Sequence, residues 1–111
     1  MSTASMTGHQ ANWVPLDFRK ALVVPGDVPG ALRLTVSGDK PRDAVGGSRI
    51  KLEPLAYTTQ PEYWKIEVLW DSANANVPMV TPFTVSIPLD GICGTKGIEV
   101  VGQTKSQKIS T

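Results

Sequence analysis

Nine prolines and ten glycines divide this chain of 111 residues into short pieces. They gather with other turn formers at 25–30, 38–47, 58–61, 71–78 and 90–97, and each cluster interrupts any regular backbone pattern. No helix of ordinary length fits between them. What remains between the breakers has the length of strands.

These pieces also have the strand period. In "ALRLTVSG", Leu32, Leu34 and Val36 alternate with Arg33, Thr35 and Ser37, as expected where one sheet face is buried and the other is wet. "YWKIEVLWD" is the clearest case: Trp64, Ile66, Val68 and Trp70 fall on one side, and Tyr63, Lys65, Glu67, Leu69 and Asp71 on the other. "PFTVSIPLD" sets Phe83, Val85, Ile87 and Leu89 against polar residues and Pro88, and "SRIKLEPLAY" sets Ile50 and Leu52 against Arg49, Lys51 and Glu53. Pro54 and Pro88 cannot donate to a ladder, so each marks an edge or a bulge. With Phe18–Val24 and Gly97–Gly102 the count is six strands, and a seventh is expected at "NWVPL" or in the C-terminal "TKSQKI".

The expected fold class is therefore all-β, an antiparallel β-sandwich with the immunoglobulin-like form leading and a small barrel as the alternative. One domain over residues 12–111 follows a flexible polar leader, 1–11. Within that leader, "ASMTGHQ" resembles a phage-capsid leader peptide used as an epitope tag, differing at His9.

Composition narrows the function classes. Basic and acidic residues nearly cancel to a formal charge of +1, and the basic residues are scattered rather than gathered in a stripe, so nucleic-acid binding is not expected. No apolar run approaches the length of a membrane span, and no membrane partner is expected. The single cysteine, Cys93, excludes an internal disulfide and a multi-cysteine zinc site. Compartment stays undetermined, with a soluble cytoplasmic location slightly preferred.

Catalytic chemistry finds few candidates. The one histidine, His9, lies in the leader, where nothing positions it for acid–base work. Asp27, Asp39, Asp43, Asp71 and Asp90 adjoin turn formers and are explained by their own backbone hydrogen bonds; Glu53 and Glu67 neighbour Lys51 and Lys65 on polar strand faces. A calcium loop in "SGDKPRDAVGG" would hold Lys40 and Arg42 among its ligands. The loop "PLDGICGTKGIEVVG" fails as a phosphate cradle because Lys96 precedes a glycine and a strand pattern follows. It is expected to join two antiparallel strands. No catalytic residue, metal or cofactor is assigned.

Aromatic side chains are the remaining resource for recognition. Trp64 and Trp70 share their face with Ile66 and Val68 and are expected in the core. Trp13, Tyr57 and Tyr63 are the candidates for an exposed binding patch, joined by Leu69, the one apolar residue on an otherwise polar strand face. If Tyr63, Leu69 and Val101 were contiguous, they would form a patch suited to another subunit. The chain is thus expected to be a non-enzymatic interaction module, acting through a sheet face or edge on a protein partner or a copy of itself. A carbohydrate- or small-ligand-binding module using the aromatics is the second reading, and a small carboxylate-dependent enzyme the third.

Overall fold

The computed structural model describes residues 13–41, 49–71 and 80–111. The leader with His9, the residues around Arg42 and Asp43, and the breaker cluster after Asp71 lie outside them. Among the described residues eight strands form: β1 (Trp13–Pro15), β2 (Lys20–Pro25), β3 (Leu32–Pro41), β4 (Ile50–Pro54), β5 (Tyr63–Asp71), β6 (Val80–Pro88), β7 (Gly97–Val101) and β8 (Ser106–Ser110). Both candidate extra strands are present. No helix among the described residues is long and apolar enough to cross a membrane.

The strands make two packed sheets instead of closing into a barrel. In the larger sheet, β5 pairs with β4 along one side, while its other side is shared by β1 at the C-terminal end and β7 at the N-terminal end; β8 completes that sheet beyond β7. The smaller sheet has the order β2, β3, β6. All pairings are antiparallel except β5 with β7. Between those two strands the chain crosses to β6 in the opposite sheet and back, so it re-enters the larger sheet in its original direction.

The alternation in sequence becomes the two faces of each sheet. Leu34 and Val36 from β3, Ile66 and Val68 from β5, Ile98 and Val100 from β7, with Leu52, Phe83, Ala21, Phe18 and Leu89, form one buried cluster between the sheets. Leu16, Val23, Ile50, Trp64, Val85, Ile87 and Ile109 pack around it. Removing this apolar surface from water is the main force holding the sheets together. Trp64 and Trp70 face inward and are half-buried, and the Trp64 indole donates to the Leu55 carbonyl at 2.9 Å.

Strand β3 runs longer than its sequence suggests, continuing through Gly38 to Pro41. The glycine does not break it because Gly38 faces inward beneath Phe83, where the backbone of Phe18 and Arg19 crosses. A Cβ there would lie 3.1 Å from the Phe18 Cα. Close approach of that backbone, not a turn, accounts for the glycine here.

Candidate functional site

The strand prolines share a backbone register. In an antiparallel ladder, alternate residues direct their amide and carbonyl toward the partner, and the rest point away. The bonds that flank the ladders fix which are which: Leu89 N donates to Leu32 O, Gly26 N to Ala31 O, Leu55 N to Lys65 O and Leu16 N to Val68 O. Carried along each register, they place Pro15, Pro25, Pro54, Pro82 and Pro88 at outward positions. At each, the missing N–H removes no ladder bond and takes a donor from a sheet edge.

One edge among the described residues has no proline. Gly102 N donates to Lys105 O and Thr111 N to Lys96 O, so Gln107 and Ile109 of β8 bond to β7, while Ser106, Lys108 and Ser110 turn their backbone groups outward. These residues offer an alternating row of donors and acceptors, the arrangement that takes up an added strand.

The inner side of β8 is fixed at several points. Asp17, in the link between β1 and β2, accepts hydrogen bonds from the Thr104 amide at 2.7 Å and from the Thr104 hydroxyl, in the turn that begins β8. The Thr104 bonds, with backbone bonds from Gln103 and Lys105, hold the Asp17 carboxyl below its ordinary value. The Lys105 ammonium bonds the Phe18 carbonyl at 2.9 Å and lies over the Phe18 ring. Gln107 reaches across the sandwich to the outward Ala21 carbonyl of β2 at 3.3 Å. The edge of β2 is thus partly capped by β8, and β8 is tied down without using its own outward groups.

A lysine on an edge strand usually obstructs pairing. Here the Lys108 ammonium leans inward across the sheet and sits 5.0 Å from the centre of the Tyr63 ring on β5.

The four residues expected to form a binding patch do not come together in one place. Trp13 and Leu69 belong to the outer face of the larger sheet near the end of β5, where Trp13 is opposite Asp71 and Leu69 opposite Pro15 and Lys51. Tyr63 is on the same face, six residues and so roughly 20 Å from Leu69. Tyr57 packs edge-on against Trp64, with centroids 5.1 Å apart, and its hydroxyl accepts from the Lys65 amide. Trp13 lies under Lys51, whose ammonium is 4.5 Å from the ring centre, with Arg49 at 6.0 Å. Arg49 also bonds Asp71 at 3.3 Å, and Lys51 pairs with Glu53.

Leu69 corrects an expectation. It is only 1% exposed although it belongs to the outer face, because strands on both sides bring Pro15 and Lys51 directly beside it. Tyr63 does not join it in one continuous apolar patch: Lys65 and Glu67 separate the two along β5, and Val101 lies opposite Glu67.

The glycine-rich loop is a connection between sheets, not the expected link within an antiparallel pair. It leaves β6 in the smaller sheet and enters β7 in the larger one. Gly91 takes the turn with φ of 76°. Farther on, the loop docks against 60–62: Thr95 N donates to Pro61 O, Lys96 N to Glu62 O, and Gln60 to the Cys93 carbonyl. A Cβ on Gly94 would overlap the Glu62 carbonyl oxygen, so close approach accounts for that glycine. Cys93 is half-buried, its thiol directed at the Leu89 carbonyl at 3.6 Å. The lowered carboxyl of Asp17 runs opposite to what a general acid requires, and no three metal-ligating side chains converge among the described residues.

The sequence concealed the edge because its signal is a pattern of absence. Prolines are visible one by one; that they share an outward register appears only when the strands are paired. Compared with protein-family models, curated proteins and solved structures, the chain matches none.

Proposed function

We propose that this domain is a non-enzymatic interaction module that takes up an extended segment of a protein as an additional strand along β8. The observation that carries the reading is the proline-free outward register of Ser106, Lys108 and Ser110, beside edges that each carry a proline in that register. Main-chain bonds would supply attachment, and alternate side chains would supply selectivity. The added strand would place apolar residues beside Ile109 on the inner face and acidic or hydroxyl residues beside Lys108 on the outer one.

The immunoglobulin-like form of the sandwich belongs to this proposal. Short strands in two packed sheets, in a chain of this size, support it, while the parallel β5–β7 pair departs from the antiparallel sheets of that architecture. A carbohydrate platform has less support, because Trp13 lies at the opposite end of β5 from Tyr57 and Tyr63, and each ring already meets a protein group.

The test is selection of random heptapeptides on the immobilised domain, followed by mapping of the winners by amide NMR. Binders should shift and protect the amides of Ser106, Lys108 and Ser110, and lose about tenfold or more in affinity against Ser110→Pro, which removes an outward donor but no intramolecular ladder bond. Peptides that bind elsewhere, or bind the proline variant equally well, would overturn the proposal.

A further inference from the structure

Resting on the reading of β8 as a strand-accepting edge, we infer that its occupant is a second copy of this chain, paired β8 to β8 in antiparallel fashion about a two-fold axis at Ile109. An isologous contact requires a surface complementary to itself. The outward row of β8 meets that requirement, since Ser106, Lys108 and Ser110 each present one donor and one acceptor at even spacing, and a two-fold rotation sets donors against acceptors.

The side chains select the register. Centring the pair on Lys108 would set Gln107 of each copy against Ile109 of the other on the inner face, a polar side chain already bonded to Ala21 against an apolar one. Centring it on Gln107 would crowd two side chains that already reach to the Ala21 carbonyls. Centring it on Ile109 places Lys108 opposite Ser110 of the other copy. It also sets Ile109 against Ile109 on the inner face, where this side chain already packs on the core. Two hydrogen-bonded pairs form, Lys108 with Ser110 and Ser110 with Lys108, and the larger sheets of the two copies become one.

Two further features favour a second copy. With a formal charge of +1 per chain, approach of two copies meets little long-range repulsion. The Lys108 ammonium, held over Tyr63, leaves the backbone of the edge clear. A contact of one short strand is small by the standard of stable complexes, so the association should be reversible and concentration-dependent.

Disulfide trapping with sedimentation analysis tests this inference, using the full chain with Cys93→Ser as background. In the proposed register Ile109 faces itself across a non-hydrogen-bonded pair, with Cα atoms about 4.5 Å apart, within reach of a disulfide. Ile109→Cys should therefore cross-link to a covalent dimer much faster than Lys108→Cys. The Cys93→Ser protein should show a monomer–dimer equilibrium that Ser110→Pro weakens about tenfold or more, with an unchanged tryptophan emission spectrum verifying the fold of each variant. Faster trapping of Lys108→Cys would overturn the register, and a strict monomer with no trapping would overturn the second copy as occupant. If that monomer still bound selected peptides at β8, only the self-pairing would fail; loss of both would remove the edge reading as well.

Discussion

The Lys108 ammonium and the Tyr63 ring meet across the larger sheet, two strands in from the edge that Lys108 occupies. An exposed contact of this kind contributes about 0.5–1 kcal/mol. Its larger consequence is steric, because it fixes where the edge lysine rests. Tyr63→Leu should release Lys108 toward solvent and weaken pairing at β8 by about two- to fivefold, the factor corresponding to that energy. Sedimentation of wild type and variant at matched concentrations would check it, and equal association would disprove the coupling.

The proline register of β6 should limit assembly. Pro82 and Pro88 occupy outward positions of that edge strand, and replacing both with valine restores two donors and raises strand preference. A chain with open edges at both β6 and β8 can assemble without closure. The double variant should form species larger than a dimer, seen by light scattering at concentrations where the parent forms none. Size distributions matching the parent would refute the role given to these prolines.

Leu69 should behave as a buried residue despite its place on the outer face. Its side chain is 1% exposed, so Leu69→Ala should cost about 2–3 kcal/mol, at the lower end for buried leucines because the neighbouring Lys51 side chain can settle inward. Urea unfolding would measure this directly. A loss under about 0.5 kcal/mol, typical of an exposed site, would contradict the burial.

Gly94→Ala should detach the loop before β7. The added methyl would press on the Glu62 carbonyl, and relieving that contact should cost about 1–3 kcal/mol, as overpacking does elsewhere. Cys93 is next to this glycine and hydrogen-bonded through its carbonyl to Gln60. Its reaction with a thiol reagent should be slow in the native wild type and several times faster in the variant. Equal rates would mean that the loop does not depend on the close approach.

Asp17 should make the fold sensitive to acid. Its carboxyl titrates below the ordinary aspartate value because Thr104, Gln103 and Lys105 donate to its charged form. A lowered folded-state value means that the stabilisation is fully present above the unfolded value of about 3.9 and is lost as pH falls through the folded one. Asp17→Asn should therefore lower Tm at neutral pH, with the difference from wild type shrinking as pH falls below about 3.9. A constant difference across that range would exclude the ionised carboxylate as its cause.

Much of the core is legible in the alternation of residues alone. Ile66 and Val68, Leu34 and Val36, and Ile50 and Leu52 face inward as their spacing implies, because side chains on a strand alternate between faces whatever its neighbours are. Leu69 obeys the same rule by taking the outer face, yet it is buried. Its exposure depends on Pro15 and Lys51, which come from strands distant in sequence. The extension of β3 through Gly38 is hidden for a similar reason: the sequence does not disclose the Phe18 backbone that crosses above it. Candidate aromatics pose the same difficulty, since Trp13 of β1 and Tyr63 of β5 share a face but lie beside opposite ends of β5.

By itself, the sequence determined that the chain is all-β, where most of its strands lie and which residues form the inner faces, since these follow from local backbone chemistry and a period of two. Tertiary structure decided which strands are neighbours, and with that which edges stay open. A proline removes a donor wherever it stands. Whether that donor would have faced a partner strand or solvent depends on pairing register, which long-range packing sets, and that difference leaves β8 as the proline-free edge among the described residues.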